Sequence, residues 1–167
     1  AGTTATSLAR TNPNLTGSTA ELDAGRFQVL EYYTELGFKT AGLPISLSYD
    51  VAGNIGDDSV VPSVTNENFA QGFGVKLNSI KKKGDWELGY WYKWIGANAV
   101  PAGFTDSDFG SGFTSKAGSI IKAGYGVTDA MTLNFGYYIV RNLNSGTVSG
   151  LIDQTQNRWQ FDLNWKF

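Results

Sequence analysis

A chain of 167 residues with 41% hydrophobic residues and a mean hydropathy of −0.20 holds no window near the ~18 consecutive apolar residues of a membrane-spanning helix. Its net charge of −2 and pI near 5.0 exclude the basic footprint that nucleic-acid phosphates demand. With no Cys and no His, the usual zinc sites, thiol nucleophiles and imidazole acid–base devices lack raw material, so the sequence reads as a non-enzyme without a cofactor.

What remains is rich in strand and turn formers: 21 Gly, 10 Phe, 8 Tyr and 5 Trp, an all-β composition. The first residues, AGTTATSLAR, show no basic start followed by an apolar run, so the expectation is that a signal peptide has been removed or that the protein's true beginning lies elsewhere. The sequon Asn14-Leu15-Thr16 is the kind that arises by chance. From Arg26 onward, seven segments alternate in side-chain character with the period of two that marks a strand.

The first, RFQVLEYYTELGFKT, carries Glu31 and Glu35 on its polar face, and the second, LPISLSYDVAGN, carries Asp50 on its own. FAQGFGVKLNSI contributes Lys76. In WELGYWYKWIGAN, Trp86, Leu88, Tyr90, Tyr92 and Trp94 oppose Glu87, Gly89, Trp91, Lys93 and Ile95. SKAGSIIKAGYGVT brings Lys122, and MTLNFGYYIVRN follows after a short turn. In the last, TQNRWQFDLNWKF, Trp159, Phe161, Leu163, Trp165 and Phe167 share one face, with Arg158, Gln160, Asp162, Asn164 and Lys166 on the other.

Segments this long exceed the usual globular strand of five or six residues and match the ~9–11 residues of a tilted transmembrane strand. The connections alternate: AGLP, KKKGD and TDA are short, whereas residues 55–68, 97–114 and 143–154 are longer and rich in Gly, Ser, Asn and Asp. Short turns on one side and long loops on the other is the outer-membrane barrel pattern. Trp and Tyr flanking an apolar band read as interfacial girdles. Lipid offers the backbone no hydrogen-bond partner, so such a sheet must close, with this chain alone or with other strands.

The stretch VLEYYTELGFKTAGLPISLSYD, the FTDSDFGSG loop with the strand after it, and the close NRWQFDLNWKF resemble the C-terminal part of a bacterial outer-membrane family labelled as putative porins. The resemblance implies an all-β, antiparallel transmembrane β-barrel and a water-filled channel for passive diffusion of small hydrophilic solutes or ions. It implies a place in the bacterial outer membrane, contact with its lipid and lipopolysaccharide, and recognition of the strand ending at Phe167 by the barrel-assembly machinery. Seven strands put the ends on opposite sides of the membrane, whereas single-chain bacterial barrels have an even count. The expected organisation is therefore 1–25 as an extracellular loop and 26–167 as barrel strands, closed by missing N-terminal strands or additional copies. A rival reading makes residues 3–10, TTATSLAR, an eighth strand.

Pore-lining candidates are Lys76, Lys93, Lys122, Glu31, Glu35, Asp50, Arg158 and Asp162. The three lysines lie about five to seven residues up adjacent strands from the short turns, and the carboxylates of the first two strands lie at similar heights, so either two walls of opposite sign flank the pore or these charges simply pair or hydrate. Asp106 and Asp108 begin a calcium-loop spacing but no bidentate Glu follows, which favours a solvated turn. The basic run Lys81, Lys82 and Lys83 reads as a solvated periplasmic turn. The alternative to the channel is a soluble β-sandwich carbohydrate-binding module using Trp91 and Tyr138 as stacking platforms.

Overall fold

A computed structural model describes residues 27–56, 67–143 and 155–166. Seven strands, β1 (Val29–Thr40), β2 (Leu43–Asn54), β3 (Phe69–Leu77), β4 (Trp86–Ile95), β5 (Lys116–Gly126), β6 (Met131–Asn142) and β7 (Thr155–Trp165), follow in chain order. They form one antiparallel meander sheet in which each strand pairs with the next. Among the described residues the helical content is a 3-10 turn at Ala102–Phe104, and no helix is long and apolar enough to cross a membrane. The readings of residues 1–25, of an eighth strand at 3–10 and of Phe167 lie outside the described residues.

The turns fix the register. Ala41 and Gly42 have φ of 48° and 81°, the left-handed pair of a two-residue I′ hairpin whose twist matches the flanking strands. β3 stops at Leu77 because Asn78 takes φ 62°, a conformation Asn tolerates and a strand cannot continue through. The turn after it is tied down by carboxylates: Asp85 accepts the backbone N–H groups of Lys81 and Lys82 at 3.0 Å each, and Asp129, from the next short turn, accepts that of Lys83 at 2.8 Å. Two short turns at one end of the sheet are thereby joined.

Alternation along these registered strands sorts the side chains. One face carries the large apolar groups, exposed along its whole width: Leu30 is 68% exposed and Phe161 70%. On this face Leu88, Tyr90, Leu133, Phe161 and Leu163 are exposed, whereas Phe135 is half-buried beside the rings of Trp159 and Phe161, at 5.6 and 5.0 Å. The seven strands lie in a single sheet, so these side chains are not packed between two sheets. β1 and β7 each present an edge that no other described strand pairs.

Candidate functional site

The other face, here the inner face, is built in rows that cross the strands. One row runs Gly37, Ser46, Lys76, Gly89, Lys122, Gly136, Gln160; the next runs Glu35, Ser48, Gly74, Trp91, Ile120, Tyr138, Arg158. Above them come Tyr33, Asp50, Gly72, Lys93, Gly118, Val140, Gln156, and then Glu31, Ala52, Ala70, Ile95, Lys116, Asn142. Asp162 lies below, opposite Asn134. All eight residues singled out in the sequence share this face.

Their heights differ from the simple expectation. Lys76 and Lys122 stand in one row with Gly89 between them, about 10 Å apart at two strand spacings. Lys93 sits four residues farther along β4 than Gly89, or about 13 Å toward the long loops. Counting residues from each turn missed this because the turn after β3 is longer than its neighbours and offsets the strands.

The glycines in these rows alternate with bulky groups. A Cβ on Gly74 or Gly89 would collide with the indole of Trp91, which lies flat across both. The ammonium of Lys122 stands 5.9 Å from the ring centres of Trp91 and of Tyr138, within cation–π range. The wall is therefore smooth where it is aromatic, with the charge held over the rings.

The long connection between β4 and β5 does not stay outside the sheet. Gly96 donates to the Phe69 carbonyl at 3.0 Å and Asn98 to that of Glu67 at 2.9 Å, while Asn54 Nδ2 donates to the Asn98 carbonyl at 3.1 Å. Thr114 Oγ1 closes the base of the loop on the Ala97 carbonyl at 3.1 Å. From this root, residues 97–114 fold over the inner face and insert Phe109, fully buried, among Ile120, Tyr138 and Val140, with Trp91 and Ile95 alongside. The tip is pinned by charge: Asp106 lies 3.8 Å from Lys93, and Asp108 lies 3.0 Å from Arg158, whose other nitrogen donates to the Ser107 carbonyl at 3.4 Å.

Asp106 and Asp108 thus form a turn that stays partly open to solvent while its carboxylates face cations of the wall. Asp106 also accepts the N–H of Asp108 at 2.9 Å. Their carboxylates meet cations of β4 and β7, and among the described residues no cluster of three or more His, Cys, Asp or Glu is placed to hold a metal. Tyr138, 3% exposed beneath Phe109, has no free face on which a sugar could stack. On β1, the Glu35 carboxylate accepts hydrogen bonds from Ser46 and from Tyr33, the latter at 2.9 Å.

The sequence reading took the inner face as polar: it missed Ile120 and Val140, and it read Tyr138 as an open stacking platform where the structure covers it. The signal was present: Tyr90 to Tyr92, Ile120–Ile121 and Tyr137 to Val140 are apolar or aromatic on both faces, the lapse of alternation expected of strands covered on both sides. Between the loop and the inner face of β1–β4 remains a cavity of about 580 Å³.

No curated protein and no solved structure matched the chain in comparison. The sequence model of the family described as putative porin matches residues 6–167. A porin-like, membrane-embedded role in general accounts for a sheet whose apolar side is exposed and whose charged side is lined by a folded-in loop. With nearly its whole length matched, this chain belongs to the putative porin family.

Proposed function

We propose that the chain forms part of the wall of a water-filled channel in the bacterial outer membrane, through which small hydrophilic solutes or ions diffuse passively, with no chemical step. The observation that carries this reading is the segregation of the faces. Exposed Leu, Phe, Tyr and Trp side chains run across all seven strands on one side, an apolar area that a soluble monomer rarely shows and that lipid accommodates. The opposite side holds Glu31, Glu35, Asp50, Lys76, Lys93, Lys122, Arg158 and Asp162.

In this reading the open edges of β1 and β7 are closed by further strands, from the same protein or from additional copies, because unpaired backbone groups at membrane depth cost several kcal/mol each. Lipid and lipopolysaccharide cover the outside, and the assembly machinery engages the strand ending at Phe167. The loop 97–114 narrows the passage, held by Phe109 and by the pairs to Lys93 and Arg158.

Planar-bilayer recording tests the reading. The protein refolded into lipid is expected to give steady ohmic steps. Phe109→Ala, which removes the loop's apolar anchor at a cost of about 3–5 kcal/mol, is expected to give larger or noisier steps. Absence of conductance from correctly inserted protein would overturn the channel.

A further inference from the structure

The cavity under the loop has a chemistry of its own. At about 580 Å³ it falls in the range of small-molecule sites, ~300–1,000 Å³. Its charged lining is Glu31 and Asp50 from the sheet, Asp106 from the loop and Lys93 opposite. Three carboxylates face one ammonium, an excess of two negative charges, and Lys93 is already engaged by Asp106 at 3.8 Å.

Asp50 is the key group. Its Oδ1 is buried and meets no hydrogen-bond donor, and the register shows why: one neighbour in its row is Gly72, which has no side chain to offer. A buried acceptor left unmade is costly, so a turn of the Asp50 carboxylate that brings this oxygen to the cavity it lines lets an entering donor remove that cost. Beyond Asp50, the next row supplies Ala52, Ala70 and Ile95, small or apolar groups that leave the space open and give nothing to a hydrated metal ion. At the rim Phe104, 86% exposed, presents a ring to the mouth.

We infer that this cavity is a binding subsite for an organic cation, its ammonium or guanidinium group held by Asp50 and Glu31 and its apolar body lying on Ala52, Ala70 and Ile95. The inference deepens the channel reading and rests on it for the route by which a solute reaches the cavity. Carboxylates repel an anion of the same shape, and the apolar floor favours an amine with a hydrocarbon body over an inorganic cation.

The test is a binding measurement that needs no conduction: saturation-transfer NMR or calorimetry on the protein refolded in zwitterionic micelles, with 2-phenylethylammonium and its anionic counterpart 3-phenylpropionate as probes. The cation is expected to bind at least tenfold more tightly than the anion, and Asp50→Asn with Glu31→Gln to remove that preference. Ala52→Phe, which fills the floor, is expected to abolish binding while leaving the carboxylates in place. Should the double variant not fold, Asp50→Asn alone is expected to weaken the cation severalfold and leave the anion no weaker. Equal affinity for the two probes, or unchanged cation binding in the folded carboxylate variants, would overturn the subsite. Cation binding without conductance would sink the channel alone, and conductance without selective binding would sink the subsite alone.

Discussion

Single side chains show how tightly this wall is specified. The indole of Trp91 occupies the space that a Cβ on Gly74 would need, and Ser48 Oγ stands 2.6 Å from the same point. Gly74→Ala is therefore expected to destabilise the sheet by about 1–3 kcal/mol through overpacking. In a Trp91→Ala background the penalty is expected to shrink, with a coupling of roughly 0.5–3 kcal/mol in a double-mutant cycle. Additive effects in that cycle would mean the ring does not lie on the glycine. At the short-turn end, the Lys81 N–H foremost, helped by the Lys82 N–H and both ammonium groups, holds the Asp85 carboxyl below its ordinary value against a desolvation effect second only to the Lys81 hydrogen bond. A depressed carboxyl contributes stability that is present above the unfolded value, about 3.9, and lost as pH falls through the folded one. The stability gap between wild type and Asp85→Asn is thus expected to be constant near neutrality and to narrow below about pH 4. A gap that persists unchanged at pH 3 would show that the turn does not depend on the charge.

At the scale of elements, each strand is a two-sided device. β7 pairs Leu163 with Leu133 on the outer face and Asn164 with Thr132 on the inner. Arg in place of Leu163 is expected to cost more than Arg in place of Asn164, whose charge then stays in water, with about 2–4 kcal/mol the cost at the membrane midplane and less toward the short-turn end of the strand. Reversible unfolding in lipid reads the difference, and equal costs would invert the face assignment. The loop 97–114 is an element in its own right. It replaces water over β4–β6 with Phe109 and leaves water, and the cavity, over β1–β4. Its two anchoring pairs are each partly exposed and so contribute modestly by themselves; the buried ring supplies the larger hold.

Across the whole molecule, charge is distributed by row. Lys76 and Lys122 share a row nearer the short turns than that of Lys93, and among the described residues neither forms an ion pair with the loop, whereas Lys93 and Arg158 hold the loop. In the channel reading proposed above, selectivity falls to the first pair. Replacing both by Glu changes the local charge by four units; at ~10 Å in water each contributes about 0.4 kcal/mol, enough to raise the local cation concentration by up to about fifteenfold before screening. The reversal potential in a salt gradient is expected to move toward cation preference at low salt and to lose most of that shift near 1 M, where the Debye length is about 3 Å. An unchanged potential at low salt would remove these lysines from the conduction path.

The seven strands, their faces and the alternation of short and long connections were legible in the sequence, because period-two patterning and left-handed turn residues such as Gly42 are local properties. The sharing of one face by Glu31, Asp50, Lys93 and Arg158 follows from the same parity. What parity does not carry is relative height: the offset of Lys93 from Lys76 and Lys122 depends on hydrogen-bond register across strands. Nor does it carry the path of a loop. Asp106 and Asp108 keep the solvent contact expected of a turn, but the burial of Phe109, three and one residues beyond them, in a pocket made by residues from β5 and β6 also brings their carboxylates to Lys93 and Arg158. That burial, with the cavity it leaves beside Asp50, is a contact between segments distant in the chain, and only the folded sheet brings them together.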